Sequence, residues 1–322
     1  MNETKLRLHE ARLPDEPDRK WLGRRLGVEE AVTVDAYDYG PVGPVRGLRH
    51  TFALGLPHTP WVPERVVSYD RLRAQLLAGA HTDHVRVFDE RESNRVWSQK
   101  LWRWGVSTGA SHLLQLQDDV VVAPNFWPAL RAMVTAVPDQ IIGLEAAHPL
   151  GPEMRRTGRA WYRTRAWLVG VGYVFPVGVM RDFLAWCDVN PDRVATTNED
   201  SLISHWAASI GRDIWHPVPT ILDHDLGVPS TYGNDAHHEW SLWRKPTVTW
   251  RDVERPAALE DPAYWRLTEP PLLPGPGTEA CWFCGSGKGE LASQDTGCRL
   301  CRLCVLRVVG SVLGVQVSAG AK

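Results

Sequence analysis

Several groups of side chains in this sequence have types and spacings that suit chemistry. Asp118 and Asp119 stand side by side in HLLQLQDDVVVAPNFW (112–127), where apolar residues lead in and three valines follow at once. Asn198, Glu199 and Asp200 open an apolar periodic run, and His224 lies in ILDHD. Cys281, Cys284, Cys301 and Cys304 form two C-x-x-C pairs with 16 residues between them. Two adjacent carboxylates repel each other and resist leaving water, so burial without a partner costs several kcal/mol. A bound cation or a cationic side chain is the simplest relief. Four thiolates at the cysteine spacing bind zinc tetrahedrally and fold a segment too small for its own core. All four ligands being cysteine leaves no open position, so this zinc is structural. Cys298 offers Cys301 a competing partner, but Leu300 and Val305 flank the 301/304 pair like a knuckle entering a helix. GSGKGE (285–290) lacks the glycine spacing of a Walker phosphate loop. Cys187, in LAWC, reads as a buried helix residue.

The elements that must position these groups follow from periodicity. LRHTFALGL (48–56) reads as a buried strand ending in the loop PHTPWVP (57–63), SYDRLRAQLLAG (68–79) as a helix, and HVRVFDE (84–90) as a strand. NRVWSQKLWRWGVSTGA (94–110) is a helix stopped at Gly109, and Pro124 opens another after the acidic pair. DQIIGLEAAH (139–148) is the next strand. This alternation calls for a parallel sheet with right-handed crossovers. Ligands of such sheets sit beyond the carboxyl ends of the strands, where PHTPWVP, Asp89–Glu90 and Asp118–Asp119 all fall. Further on, WLVGVGYVFPVGVM (167–180) reads as one or two strands, TTNEDSLISHWAASIG (196–211) as a helix, and DIWHPVPTILDHD (213–225) as a strand.

The organisation expected is an irregular extension over 1–47, a catalytic-sized domain over 48–250, a proline-rich linker over 251–279 and a zinc module over 280–317. With 322 residues, 43% apolar and 23% charged, the composition is that of a globular protein. A net charge of -2 does not mark the whole chain as a nucleic-acid or acidic-membrane binder. The N-terminus has no signal-peptide pattern, and VLRVVGSVLGVQV (305–317) is too short to span a bilayer. A cytoplasmic protein without a membrane span is expected, where disulfides are disfavoured.

Asp118–Asp119 at a strand exit resembles the DxD-type motif of glycosyltransferases with the GT-A fold. QLQDDVVVAPNFW and VPTILDHDLGVPSTYGN look like the bacterial and phage-borne enzymes of this kind, over roughly residues 48–250. The resemblance implies an α/β GT-A architecture, Rossmann-like with a mostly parallel central sheet. It implies metal-dependent, inverting transfer of a hexose from a nucleotide-diphosphate sugar, taken here as UDP-linked, to an acceptor hydroxyl on a glycan, protein or nucleic acid. It implies that Asp119 and His224 hold Mn²⁺ or Mg²⁺, that Asp118 contacts sugar or ribose, and that Asp89 reads the base. Asp200, or else Glu199, would take the acceptor's proton. The sequence departs from the DxD letters by reading Gln117-Asp118-Asp119.

Each assignment has a plainer counterpart. Thr197 or Asn198 is a natural N-cap, with Glu199 and Asp200 favoured in the first turn. A helix N-terminus also lowers a carboxylate's pKa, which weakens it as a base. Asp89 suits a strand-end cap, and His224 a loop hydrogen bond. Lys100 and Arg103 suit either phosphate contacts or a solvated helix face, and Trp161, Trp167 and Tyr173 either an acceptor wall or core. CWFCGSGKGE…RLCRLCV resembles the treble-clef-like zinc-binding domain at the start of the Clp protease unfoldase. Arg299, Arg302 and Arg307 around the knuckles suit a nucleic-acid or protein contact. The alternative reading is therefore an inactive transferase-like domain whose zinc tail binds nucleic acid or protein. A two-metal phosphohydrolase would need more ligands near Asp118 than the sequence offers.

Overall fold

The computed structural model describes residues 38–41, 50–78, 84–89, 93–145, 151–165, 168, 170–225, 227–229, 248–266, 270–273, 291–292 and 299–300. In chain order the first half holds β1 (Asp38–Pro41), β2 (Phe52–His58), α1 (Pro63–Ala78), β3 (His84–Asp89), α2 (Asn94–Ser107), β4 (His112–Leu116), β5 (Val120–Val122), α3 (Phe126–Ala136) and β6 (Ile141–Gly143). The second half holds α4 (Gly151–Arg156), β7 (Trp161–Thr164), β8 (Gly172–Pro176), α5 (Val177–Asp188), α6 (Pro191–Thr196), α7 (Glu199–Ser209), β9 (Ile214–Pro217), β10 (Leu222–His224), β11 (Leu272–Leu273), β12 (Leu291–Ala292) and β13 (Arg299–Leu300).

The protein is mixed α/β around a sheet of order β1-β3-β2-β4-β8-β6-β9-β7-β11. Its central strands are mostly parallel. The pairs β3–β2, β2–β4 and β6–β9 are parallel; β8, between β4 and β6, runs against them, as do β1 at one edge and β7 and β11 at the other. The expected strand–helix alternation through β6 holds in direction, but β8 from the second half separates β4 from β6. β2 reads FALGLPH with every residue buried, the pattern of a strand covered on both faces. Phe52, Leu54 and Leu56 meet α1 and α3 on one face, with Leu114, Leu116 and Val174. Ala53, Leu113, Tyr173 and Phe175 meet α2, α5 and α7 on the other.

Four boundaries differ from the sequence reading. β2 runs on through Pro57 and His58, and Pro63 is the first residue of α1, where a missing N–H costs nothing. β1, assigned to an irregular extension, pairs antiparallel with β3 as the sheet's edge. DIWHPVPTILDHD is two strands: β9 joins the main sheet, while β10 pairs antiparallel with β5. The stretch assigned to a linker is, up to Leu273, part of the domain. Leu259 and Trp265 are fully buried in the α1/α3 core, and β11 extends the sheet beside β7. Apolar side chains among the prolines explain this, since prolines set turns but leucine and tryptophan still seek burial. Gly109 ends α2 with φ of 81°, as expected.

Candidate functional site

β4 delivers Gln117, Asp118 and Asp119 to the carboxyl edge of the sheet, and β10 aligns His224 opposite Val120. Asp119 O also accepts from Asp225 N at 2.7 Å. Asp118 and Asp119 are almost completely buried, at 0% and 2% exposure. Their relief comes first from a side chain absent from the sequence reading, Arg65 in the first turn of α1. Its Nε donates to Asp118 Oδ1 at 2.7 Å, its Nη2 reaches the same oxygen, and Nη2 also lies 3.2 Å from Asp119 Oδ2.

Asp118 is then fully committed. Its Oδ2 accepts from Thr59 N at 2.7 Å and from His58 Nδ1 at 2.9 Å, the His58 ring being stacked on Tyr69. With both oxygens saturated and no exposed surface, Asp118 ties the exits of β2 and β4 to the head of α1. As it stands, Asp118 has no exposed surface for the expected sugar or ribose contact. Asp119 differs. His224 Nε2 donates to its Oδ2 at 3.0 Å, while its buried Oδ1 has no hydrogen-bond partner among the described residues. Burial would raise the Asp119 pKa, but Arg65 and then His224 outweigh it and bring the pKa down to about 2.

The donor set fits a divalent ion only in part. Two carboxylates against one guanidinium leave one negative charge, before counting the imidazoles. To ligate an ion beside Asp119, His224 Nε2 would have to give up the proton it shares with Asp119 Oδ2. Among the described residues, no group of three or more His, Cys, Asp or Glu could hold a metal ion unaided. An ion held here would need phosphate or water oxygens to complete its coordination, as Mg²⁺ commonly does.

Glu199 and Asp200 open α7 beside the same corner. Gln117 N donates to Val171 O at 2.9 Å, and a Cβ placed on the neighbouring Gly170 would lie 3.0 Å from Glu199 Oε1. A side chain at 170 would press on the Glu199 carboxylate. Glu199 is buried. Asp200 is half-buried, and loss of solvent raises its pKa despite hydrogen bonds from Ser201 and the Gly170 backbone. The lowering expected from the helix N-terminus is thus overturned, because burial outweighs it. No Asn198 side-chain cap forms. Arg95, at the head of α2, donates to Ala195 O at 2.6 Å and fixes the end of α6 just before this segment.

Asp89 ends β3 in register with His58, which places its backbone on this edge. Glu90 lies outside the described residues. Lys100 is on the exposed side of α2, six residues, or about 9 Å, along from the helix start at that edge. Arg103 pairs with Asp188 instead of facing a phosphate. Trp161 and Tyr173 are core and form no acceptor wall. Trp161 Nε1 donates to Trp265 O at 2.9 Å. Trp102 Nε1 donates to Tyr173 OH at 2.8 Å, which donates to Gln115 Oε1 at 2.6 Å. Trp167 lies outside the described residues, as do Cys281, Cys284, Cys298, Cys301 and Cys304. β12 and β13, between the cysteine pairs, are antiparallel partners. Cys187 is buried, and burial pushes its thiol up to about 12.

No family model matches the chain, and no curated protein sequence matches it. Among the described residues, no helix is long and apolar enough to cross a membrane.

Proposed function

We propose that the chain is a glycosyltransferase of the GT-A type, moving a hexose from a nucleotide-diphosphate sugar, UDP-linked by preference, to an acceptor hydroxyl with inversion. The observation that carries this reading is that the 170–171 loop joins the strand exit bearing Asp118–Asp119 to the start of α7 with Glu199 and Asp200. Asp119 and His224 would hold Mn²⁺ or Mg²⁺. A divalent ion there supplies positive charge beside the departing diphosphate. Asp200, its basicity raised by burial, takes the acceptor's proton, with Glu199 as the alternative. Asp89, in register with His58 at the end of β3, would meet the base.

The test is release of UDP from UDP-glucose with Mn²⁺, using water or a supplied sugar as acceptor. Asp200→Asn is expected to lower the rate by about 10²–10⁴, and Asp119→Asn to remove the Mn²⁺ dependence. A rate unaffected by Asp119→Asn and by chelation refutes the proposal. We further propose that Cys281, Cys284, Cys301 and Cys304 bind one structural zinc, checked by elemental analysis of the purified chain against a Cys281→Ser variant.

One observation favours the inactive, binding-module reading: Arg65 already compensates much of the acidic pair without an ion. Salt-sensitive DNA binding by the full chain, with no thermal shift from any nucleotide diphosphate and Mn²⁺, would select it.

A further inference from the structure

Among the described residues, Arg65 is the arginine that reaches Asp119, and it does so through Nη2, an atom also committed to Asp118. Nε and Nη2 both engage Asp118 Oδ1, within a knot completed by Thr59 N and His58. Nη2 alone also touches Asp119, at the longer distance of 3.2 Å. The side chain is 4% exposed, so solvent does not screen it. A second observation at the same spot points to a ligand: the buried Oδ1 of Asp119 has no hydrogen-bond partner among the described residues. A carboxylate with one oxygen shared by two donors and the other unsatisfied is held ready for another positive group.

We propose that Arg65 is a resident cation of this corner, holding Asp118 permanently and competing with a divalent ion for Asp119. This rests on the reading of Asp119 as an ion-binding residue and goes beyond it. In the ligand-free protein the guanidinium keeps two neighbouring carboxylates together. When an ion engages Asp119, the Nη2–Asp119 contact is the one given up, because the Asp118 side of the fork is shorter and more fully bonded. Arg65 thus sets a threshold: ion binding is weaker than the bare acids would allow, and an ion arriving with a diphosphate is favoured over a free ion because phosphate oxygens offset the guanidinium's repulsion. Like charges this close in a buried site repel strongly, so removing the guanidinium charge is worth at least tenfold in ion affinity.

The experiment is Mn²⁺ binding to the full chain, measured by water proton relaxation, for wild type, Arg65→Gln and Asp119→Asn. Arg65→Gln is expected to bind Mn²⁺ at least about tenfold more tightly than wild type, with Asp119→Asn abolishing binding. Binding by wild type that disappears in Asp119→Asn but is unchanged or weaker in folded Arg65→Gln overturns the proposal while sparing the ion-binding reading. No binding by wild type and by Arg65→Gln overturns both. Should Arg65→Gln fail to fold, the wild-type Arg65 nitrogen resonances decide under Mg²⁺ titration. A chemical-shift change at Nη2, which keeps its bond to Asp118, with Nε unchanged supports the exchange. Mg²⁺ binding that leaves Arg65 unchanged, or no Mg²⁺ binding, overturns it.

Discussion

Replacing each aspartate of the pair by asparagine separates their roles, because the two carboxylates receive donors differently. Asp118 accepts four contacts, two at each oxygen: Arg65 Nε and Nη2 on Oδ1, and Thr59 N and His58 Nδ1 on Oδ2. Asparagine has one acceptor end and one donor end. Whichever way the amide of Asp118→Asn turns, its NH₂ faces two donors, and a buried guanidinium loses its main counter-charge. Breaking a buried pair in this way costs about 3–5 kcal/mol. At Asp119 both partners, Arg65 Nη2 and His224 Nε2, meet Oδ2 while Oδ1 meets none. Asp119→Asn can place its carbonyl at the Oδ2 position and its NH₂ at the vacant one with no donor facing a donor. Only the charge is lost, at about 1–2 kcal/mol. Urea unfolding at pH 7, followed by far-UV circular dichroism with linear extrapolation, measures both. Equal costs for the two variants, or an Asp118→Asn variant within about 1 kcal/mol of wild type, would refute the division of labour drawn from these contacts.

Two further predictions concern stability away from the corner. His112, buried at the start of β4 with Nε2 on Pro138 O at 2.9 Å, has its pKa pulled down to about 4 by burial. The unfolded chain therefore binds more protons than the folded one between the ordinary value of 6.5 and 4. Stability is expected to fall by about 3 kcal/mol as pH drops through that window; urea titrations in which His112→Gln shows the same slope as wild type would contradict it. Asp119 adds its own loss only lower, between pH 3.8 and about 2, where a depressed carboxylate becomes protonated. Trp265, fully buried with Nε1 donating to Leu259 O at 2.8 Å, is expected to cost about 3–5 kcal/mol when changed to alanine. A flexible linker would give almost no change in the same melt.

What the sequence made legible was what periodicity and local chemistry encode. β2, β3, β4, α2 and α7 follow from apolar spacing and terminal signals, and so does the convergence of Asp118, Asp119 and Asp89 on one edge. The insertion of β8 between β4 and β6 is a non-local pairing that no window of sequence carries. The antiparallel β5–β10 pair brings His224 to Asp119 across 105 positions of chain, also by tertiary contact. The proline-rich 251–273 stretch shows composition misleading: its leucine and tryptophan had partners on α3 and β7 that only the fold supplies. Arg65 was missed for a related reason. An arginine two residues into a helix reads as solvent-facing, yet the first turn of α1 is pressed against the exits of two strands. The available signal was the puzzle of the acidic pair, which demanded a cation without indicating where in the chain it would come from.

The corner holds two aspartates of the same chemistry whose proton affinities shift in opposite directions, and the environments explain why. Asp119 has a guanidinium and an imidazole on one oxygen, which keep its carboxylate ionised down to about pH 2 despite burial. At Asp200 the loss of solvent outweighs neutral donors, namely Ser201, its own amide and the Gly170 amide, so its proton affinity rises. The nearby Tyr173 phenol is pushed well above its ordinary value by burial and then by the charges of Glu199 and Asp200, so it stays protonated and bonded to Gln115. Tyrosine is thereby removed from any proton exchange near neutrality. Of the groups here, one carboxylate is fitted to remain an anion beside a cation, and another is fitted to accept a proton. Environments that push paired acids apart in this way are how a site divides electrostatic work from base work. The group transfer proposed above would use both kinds of acid, one to stay charged and one to take a proton.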